Sequence, residues 1–350
     1  MDDRLESMYR RFTWRIQSNY VTPFELHRQK EAVTDYEQWC DSWLAMAAEH
    51  GQRGDEAAAA GRRVTAGDEY IRAGLCCHWA SFMFTHDQAA YRRSLDAMAG
   101  YWAKAAPLVD PPMTLLDVPF EGTDLHGYLR VPPGPTPPVA ILLPGADSTK
   151  EELYNLAEHL VARGVAIAAF DGPGQGSVSF DLQLRPDYEV AVQAIIDILA
   201  ARDDVDASRL AVGGISYGGL FAIRTAAIDD RVRAVFSISS WYTPAGRFAT
   251  MEPLSQAGQY QHLGPDPAAM MEAITLAGVL DRLKVPLLQV FGADDAASPA
   301  SQGEQIAAEA AGPVTTVVMP EGIHVVNNLW PQARALVGDW VAETLVAAQP

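Results

Sequence analysis

Lysine is almost missing from this chain. Only Lys30, Lys104, Lys150 and Lys284 occur, and with arginine they give 26 basic residues against 44 acidic ones, a formal net charge of −18. With no basic patch in evidence, neither a nucleic-acid partner nor an anionic membrane surface is expected. Cysteine is scarce too. Cys40, Cys76 and Cys77 are odd in number and irregularly spaced, which is no disulfide framework. Cys76 and Cys77 fall in an apolar helical stretch and read as reduced core residues. No apolar run approaches membrane-spanning length. The opening MDDRLESMYRR carries charge where a signal segment would be apolar, so a cytoplasmic location is expected. No histidines pair at metal-ligand spacing, so no metal site is expected.

What is present is an ordinary globular composition. The 350 residues are 49% hydrophobic and 20% charged, enough for one large domain or two. Residues 1–106 read as helical, with apolar residues at three- and four-residue spacing in DYEQWCDSWLAMAAEHG, AGDEYIRAGLCCHWASFMF and DQAAYRRSLDAMAGYWAKAAPLV. From DPPMTLL onward the pattern changes. Val118–Phe120 and Leu125–Val131 read as two strands, the first placed at an edge by Pro119. VAILLPG, VAIAAFDG, LAVGGI, VRAVFSISS, VPLLQVFG and VTTVVMP follow as buried strands separated by helices, which implies a mostly parallel sheet covered on both faces. The helix in STKEELYNLAEHLVARG is expected to be capped by Ser148 or Thr149. Over about 241–283 the alternation stops, and this segment is expected to be a lid on a catalytic domain spanning 107–350.

The stretch LAVGGISYGGLFAIRTAA carries the strongest chemical signal. Gly214-Ile215-Ser216-Tyr217-Gly218 fits G-x-S-x-G, a sharp strand-to-helix turn that lifts one serine to its apex. A serine hydroxyl is a weak nucleophile and needs a base, and the base needs an orienting acid. The order serine, acid, histidine accompanies such a turn. His324, just past the last strand in MPEGIHVV, is the expected base. GADDAASP offers Asp294 and Asp295, of which Asp295 is favoured and the other reads as a solvated turn residue. The oxyanion of acyl transfer needs two backbone N–H donors, expected from Tyr217 and Ala146. FDGPGQGS lacks the full phosphate-binding pattern and reads as a tight turn beside the site. Trp79, Phe82, Trp241 and Tyr242 are candidates to line the pocket, although aromatics at helical spacing are more often plain core.

These motifs resemble the α/β-hydrolase superfamily over about 113–347, with GISYGG, FDGPGQG, FGADD and EGIH as its signatures. LLPGADSTKEE followed by FDGPGQG, behind about a hundred helical residues, resembles more closely the 2,6-dihydroxypseudooxynicotine hydrolase group and the fungal polyketide chain-shortening hydrolases. The resemblance implies cleavage, with no cofactor, of a carbon–carbon bond beside a carbonyl in a small-molecule substrate, a homodimer, N-terminal helices that contribute to the pocket, and a triad of Ser216, Asp295 and His324. Where the group has glutamate before S-T-K, this chain has Asp147, one methylene shorter. Asp147 is expected either to polarise the substrate as a hydrogen-bonding acid or to cap the helix starting near Ser148. A carboxylesterase or thioesterase with the same triad, and an acyltransferase or cyclase, are the alternative activities. A binding protein that keeps the fold is the alternative outside catalysis.

Overall fold

The computed structural model describes residues 2–346, so Met1 and 347–350 of the two expected domains lie outside the described residues. The chain divides into a helical unit, running through Leu115 and including Pro253–Gly258, and a sheet unit formed by the remainder. The boundary therefore falls nine residues later than the expected 106/107, inside the first strand, and a short piece of the expected lid groups with the helices.

The helical unit contains α1 (Asp3–Gln17), α2 (Pro23–Ala32), α3 (Trp39–Ala59), α4 (Arg63–Ser81) and α5 (Gln88–Ala105). Local chemistry sets several of its ends. Thr22 and Glu25 form a reciprocal capping box at α2, with Pro23 in the first turn. Asp87 accepts from the N–H groups of Ala89 and Ala90 at the start of α5. Glycines let aromatic rings lie directly on helix backbones. A Cβ at Gly51, Gly54 or Gly74 would lie 2.5, 2.6 or 2.8 Å from the rings of Tyr101, Tyr70 and Trp102. Trp39, Trp43 and Trp79 make a continuous aromatic core, with centroids 5.6 and 6.5 Å apart, and Phe82 joins it edge-on to Trp79 at 5.3 Å.

The sheet unit is built on eight strands: β1 (Met113–Phe120), β2 (Thr123–Arg130), β3 (Pro138–Leu143), β4 (Ala166–Phe170), β5 (Asp206–Ile215), β6 (Val232–Ile238), β7 (Leu287–Gly292) and β8 (Val314–Met319). Their spatial order is β1-β2-β4-β3-β5-β6-β7-β8. β2 pairs antiparallel to β4, and every pair from β4 through β8 is parallel. Pro119 sits on the edge strand, where a missing N–H costs no ladder bond. β3, β4, β6 and β7 are almost wholly buried, as their unbroken apolar runs require. The helices of this unit are α6 (Tyr154–Val161), α7 (Glu189–Ala200), α8 (Tyr217–Ile228), α9 (Pro253–Leu263), whose residues through Gly258 group with the helical unit, α10 (Pro267–Ala273), α11 (Ser301–Glu309) and α12 (Trp330–Val346). α7 packs with α8, and α6 with α12. Leu220, Phe221 and Ile223 of α8 are fully buried, each worth roughly 1.5–3 kcal/mol of transfer free energy.

One local expectation needs correction. The STKEEL helix begins as a 3-10 turn over Lys150–Leu153, and neither Ser148 nor Thr149 caps it with a side chain. The Ser148 hydroxyl instead donates to the Glu152 carboxylate, both groups being buried and in need of hydrogen-bond partners. The segment between β6 and β7, expected to be a lid, carries α9 and α10.

Candidate active site

β5 runs straight into α8, and the residue at the junction is Ser216. Its backbone has φ 52° and ψ −119°, an unfavourable region for a residue with a Cβ that costs on the order of 1–3 kcal/mol. The surroundings hold it there. The Ser216 N–H donates to Ile238 O at 2.8 Å, and its carbonyl accepts the first turn of α8. Gly214 and Gly218 make the turn possible. A Cβ on Gly214 would lie 2.6 Å from the Gly218 carbonyl carbon, and one on Gly218 would lie 2.5 Å from Pro144 O. The cleared flanks of the serine are thus a packing requirement of the turn.

His324 reaches this serine from the loop after β8. Its Nε2 lies 3.1 Å from Ser216 Oγ, and its Nδ1 lies 2.9 Å from Asp295 Oδ2 and 3.1 Å from Oδ1. Val325 and Val326 follow with φ of 60° and 54°, rare for β-branched residues. The loop is over-determined by local bonds. Val325 N–H donates to Ser239 Oγ at 2.9 Å, Val326 N–H to Ile323 O at 2.7 Å, and Asn327 Nδ2 to His324 O at 3.1 Å.

Asp295 follows β7, where the acid loop and the histidine loop touch through glycines. Asp294 N–H donates to Gly322 O at 2.9 Å, and a Cβ on Gly292 would run into Gly322. The Asp295 side chain is fully buried, whereas His324 is 35% exposed. Asp295 Oδ1 accepts from the N–H groups of Ala297 and Ser298 at 2.9 and 2.8 Å. Burial alone would raise its pKa. The imidazole of His324, the Ser298 N–H and Ser239 outweigh burial and hold the carboxyl below its ordinary value. Asp294 is exposed on the same turn.

Of the candidate pocket residues, Trp241 is at the site. Its indole N–H points to Ser216 Oγ at 3.4 Å, and its ring lies 6.4 Å from that of Tyr217. Tyr242 instead turns away from the serine. Its hydroxyl pairs with Glu309 at 3.0 Å and its N–H with Gln302 at 2.8 Å, so it ties the post-β6 loop to α11. Trp79 and Phe82 have the neighbours of a helical core, namely Trp43, His78 and each other. Ala146 is buried in the loop after β3. Asp147 beside it is half-buried, and its charge acts on both Tyr217 and His262. The Tyr217 hydroxyl is buried with no hydrogen-bond partner among the described residues. Burial pushes its pKa up, with Arg247 opposing and Asp147 adding. His262 Nδ1–H donates to Gly174 O, 2.9 Å away, and burial lowers its pKa. Among the described residues, no three His, Cys, Asp or Glu side chains gather as metal ligands.

The FDGPGQG loop does more than turn beside the site. Gln175 is fully buried, and its Nε2 donates to Pro144 O and Gly145 O at 2.8 and 3.0 Å. Asp171 takes the Lys150 N–H on Oδ1 at 2.7 Å and the Lys150 ammonium on Oδ2 at 2.8 Å. Glu151 also pairs with Lys150, at 2.7 Å. One buried cation thus serves two buried carboxylates. Burial alone would lower the Lys150 pKa, but the paired acids hold it charged. Asp171 is pushed up to about 6 by burial, with Lys150 opposing and Glu151 adding. Gln175, Ser239 and Asp171 escape sequence reading because each acts on backbone groups far away in the chain, and Lys150 because the carboxylate of distant Asp171 meets it only in the fold. The only signal is a glutamine in a run of glycines.

The chain matches the family described as esterase FrsA-like over residues 30–243, and the prolyl oligopeptidase family over 152–343. It belongs to the FrsA-like esterase family. It is an α/β-hydrolase and an enzyme of the hydrolase class, homologous to 2,6-dihydropseudooxynicotine hydrolase of Paenarthrobacter nicotinovorans. The identity to that protein is 29% over 318 residues, covering 89% of this chain and 86% of the relative. The crystal structure of 2,6-dihydroxy-pseudo-oxynicotine hydrolase superposes with a TM-score of 0.88 at 27% identity, covering 96% of both chains. The α/β hydrolase pydG of Acremonium sp is 35% identical over 224 residues, 60% of this chain and 52% of that one. The match thus spans about half the length of that fungal relative. AbyA5 shares the fold at a TM-score of 0.74 and 17% identity.

Proposed function

We propose that this chain is a serine hydrolase that cleaves a carbon–carbon bond beside a ketone in a β-dicarbonyl or acylated phenol, through an acyl-enzyme. The observation that carries the reading is the unbroken hydrogen-bond chain from Ser216 through His324 to Asp295, with the serine on a strained turn. Ser216 Oγ attacks the ketone carbon while His324 Nε2 takes its proton. The alkoxide is held by the N–H groups of Tyr217 and Ala146. Collapse of the alkoxide breaks the carbon–carbon bond. Its electron pair passes to the carbon flanked by the second carbonyl or the hydroxylated ring, which takes the proton held on His324 Nε2 and leaves the imidazole free again. Water, activated by His324, releases the acid and restores the serine. Asp295 holds the imidazole in the tautomer that can accept from serine. Asp147 hydrogen-bonds the departing half of the substrate, a role supported by its place next to Ala146 in the loop after β3.

The similarity over nearly the whole chain to 2,6-dihydropseudooxynicotine hydrolase supports carbon–carbon cleavage. The FrsA-like match favours a second reading, ester hydrolysis by the same triad. The test is kcat/KM for a panel of β-diketones and acylphenols against p-nitrophenyl esters, with Ser216→Ala as control. Faster turnover of a ketone supports the first reading, and turnover of esters alone supports the second. Action in the cytoplasm as a homodimer belongs to the same proposal. It is supported by three buried free cysteines and by the family resemblance, and light scattering tests the oligomeric state.

A further inference from the structure

The carbonyl of Gly145 and the N–H of Ala146 belong to one peptide group. That group is planar and trans, so a partner that fixes the C=O also aims the N–H in the opposite direction. Gln175 supplies that partner. Its Nε2 donates to Gly145 O at 3.0 Å and to Pro144 O at 2.8 Å. Its Oε1 accepts from Gly172 N–H at 3.0 Å and from the Tyr188 hydroxyl at 2.5 Å. The amide cannot flip, because a flip would set oxygen against two carbonyls and nitrogen against two donors. Tyr188 is itself held by stacking on Phe221 of α8, at 4.1 Å and 7° between planes. On the other side of this peptide, Gly145 faces the serine, where a Cβ would lie 3.5 Å from Ser216 Cβ.

We infer that Gln175 is a positioning residue that aims the Ala146 N–H at the substrate oxyanion by clamping the carbonyls of Pro144 and Gly145 from behind. The inference rests on the serine-nucleophile reading above. It also accounts for the composition of FDGPGQG. Gly172 gives the Tyr188 hydroxyl room to reach Gln175 Oε1, since a Cβ there would lie 2.6 Å from Tyr188 Cζ. Gly176 makes room for the Asp171 carboxyl, whose Cγ a Cβ would approach to 2.8 Å. Asp171 then fastens the far end of the same loop through the Lys150 N–H and ammonium. The oxyanion loop is thereby held at both ends by residues of one turn, leaving its N–H preorganised before substrate arrives.

The experiment compares Gln175→Met, Tyr188→Phe and Ser216→Ala on an activated ester. It also measures affinity for an alkyl trifluoromethyl ketone, which forms a tetrahedral adduct on the serine, and thermal unfolding checks that each variant folds. Gln175→Met should lower kcat by about 10²-fold with KM within about threefold, and should weaken the trifluoromethyl ketone by a similar factor. Tyr188→Phe keeps the ring and loosens only the amide, so both quantities should fall by about three- to tenfold. A folded Gln175→Met with kcat within about twofold of wild type, or with its loss confined to KM, would overturn the clamp. If Gln175→Met does not fold, unchanged kcat and unchanged adduct affinity in Tyr188→Phe would overturn it instead. Turnover that survives Ser216→Ala would strike at the nucleophile itself, not at the clamp.

Discussion

Replacing Asp295 by asparagine should disable the site through a single proton. Asp295 Oδ1 already receives the Ala297 and Ser298 N–H groups, so the oxygen of an asparagine amide must take that place. The amide nitrogen then faces His324 Nδ1, where Oδ2 now stands at 2.9 Å. An N–H at that point can only be matched by an unprotonated Nδ1, which puts the ring proton on Nε2. Nε2 is the atom 3.1 Å from Ser216 Oγ, and once protonated it cannot take the serine proton. The wrong tautomer is thus locked in by two backbone donors. The expected loss is about 10³–10⁴-fold in kcat, about 4–5.5 kcal/mol in the barrier. Asp294→Asn, one residue away on the exposed side of the turn, should stay within about twofold on surface-substitution grounds. The assay is steady-state hydrolysis of an activated ester, with circular dichroism to confirm folding. Asp295→Asn above a tenth of wild-type kcat, or a larger loss in Asp294→Asn, would refute the tautomer argument.

Three further outcomes are expected. Asp147→Asn should leave ester turnover within about tenfold while carbon–carbon cleavage falls by ~10²-fold or more, and equal losses on both substrates would remove its selective role. Lys150→Met leaves Asp171 and Glu151 buried without their cation, which should cost about 3–5 kcal/mol and show as a clear drop in Tm. That drop should shrink as the pH falls, since burial already raises the Asp171 pKa and loss of the opposing Lys150 charge raises it further, so protonation relieves the unpaired charge. In the native protein the depressed pKa of Asp295 stabilises the fold at neutral pH, and this contribution should fade as the pH drops below about 4 and through its folded pKa. Acid titration of Tm should therefore fall less steeply in Asp295→Asn than in wild type.

Much of this architecture is legible in the sequence because its signals are local. Unbroken apolar runs mark the buried parallel strands, Pro119 marks an edge, and two glycines around Ser216 mark the turn. That His324 and Asp295 lie beside Ser216 is legible from their place after strands, since a parallel sheet gathers its C-terminal loops at one edge. What the sequence does not reveal depends on direction. Tyr242 looks like a pocket aromatic until its hydroxyl is seen on Glu309, and Ser148 looks like a cap until its hydroxyl is seen on Glu152. Gln175 is the clearest case. Its four hydrogen bonds reach Pro144, Gly145, Gly172 and Tyr188, and only the path of the folded chain brings them together. The unit boundary shifted from 106/107 to 115/116 because β1 itself straddles the two units, and a strand offers no composition change at its middle.

The central claim is that Ser216 forms an acyl-enzyme by cleaving a carbon–carbon bond. Rapid-quench mass spectrometry of the intact protein mixed with an acylphenol tests it directly. The account predicts a mass gain equal to the acyl group, mapped to the peptide carrying Ser216, appearing together with a burst of released phenol and absent in Ser216→Ala. Phenol release with no adduct in wild type, undiminished in Ser216→Ala, would contradict it.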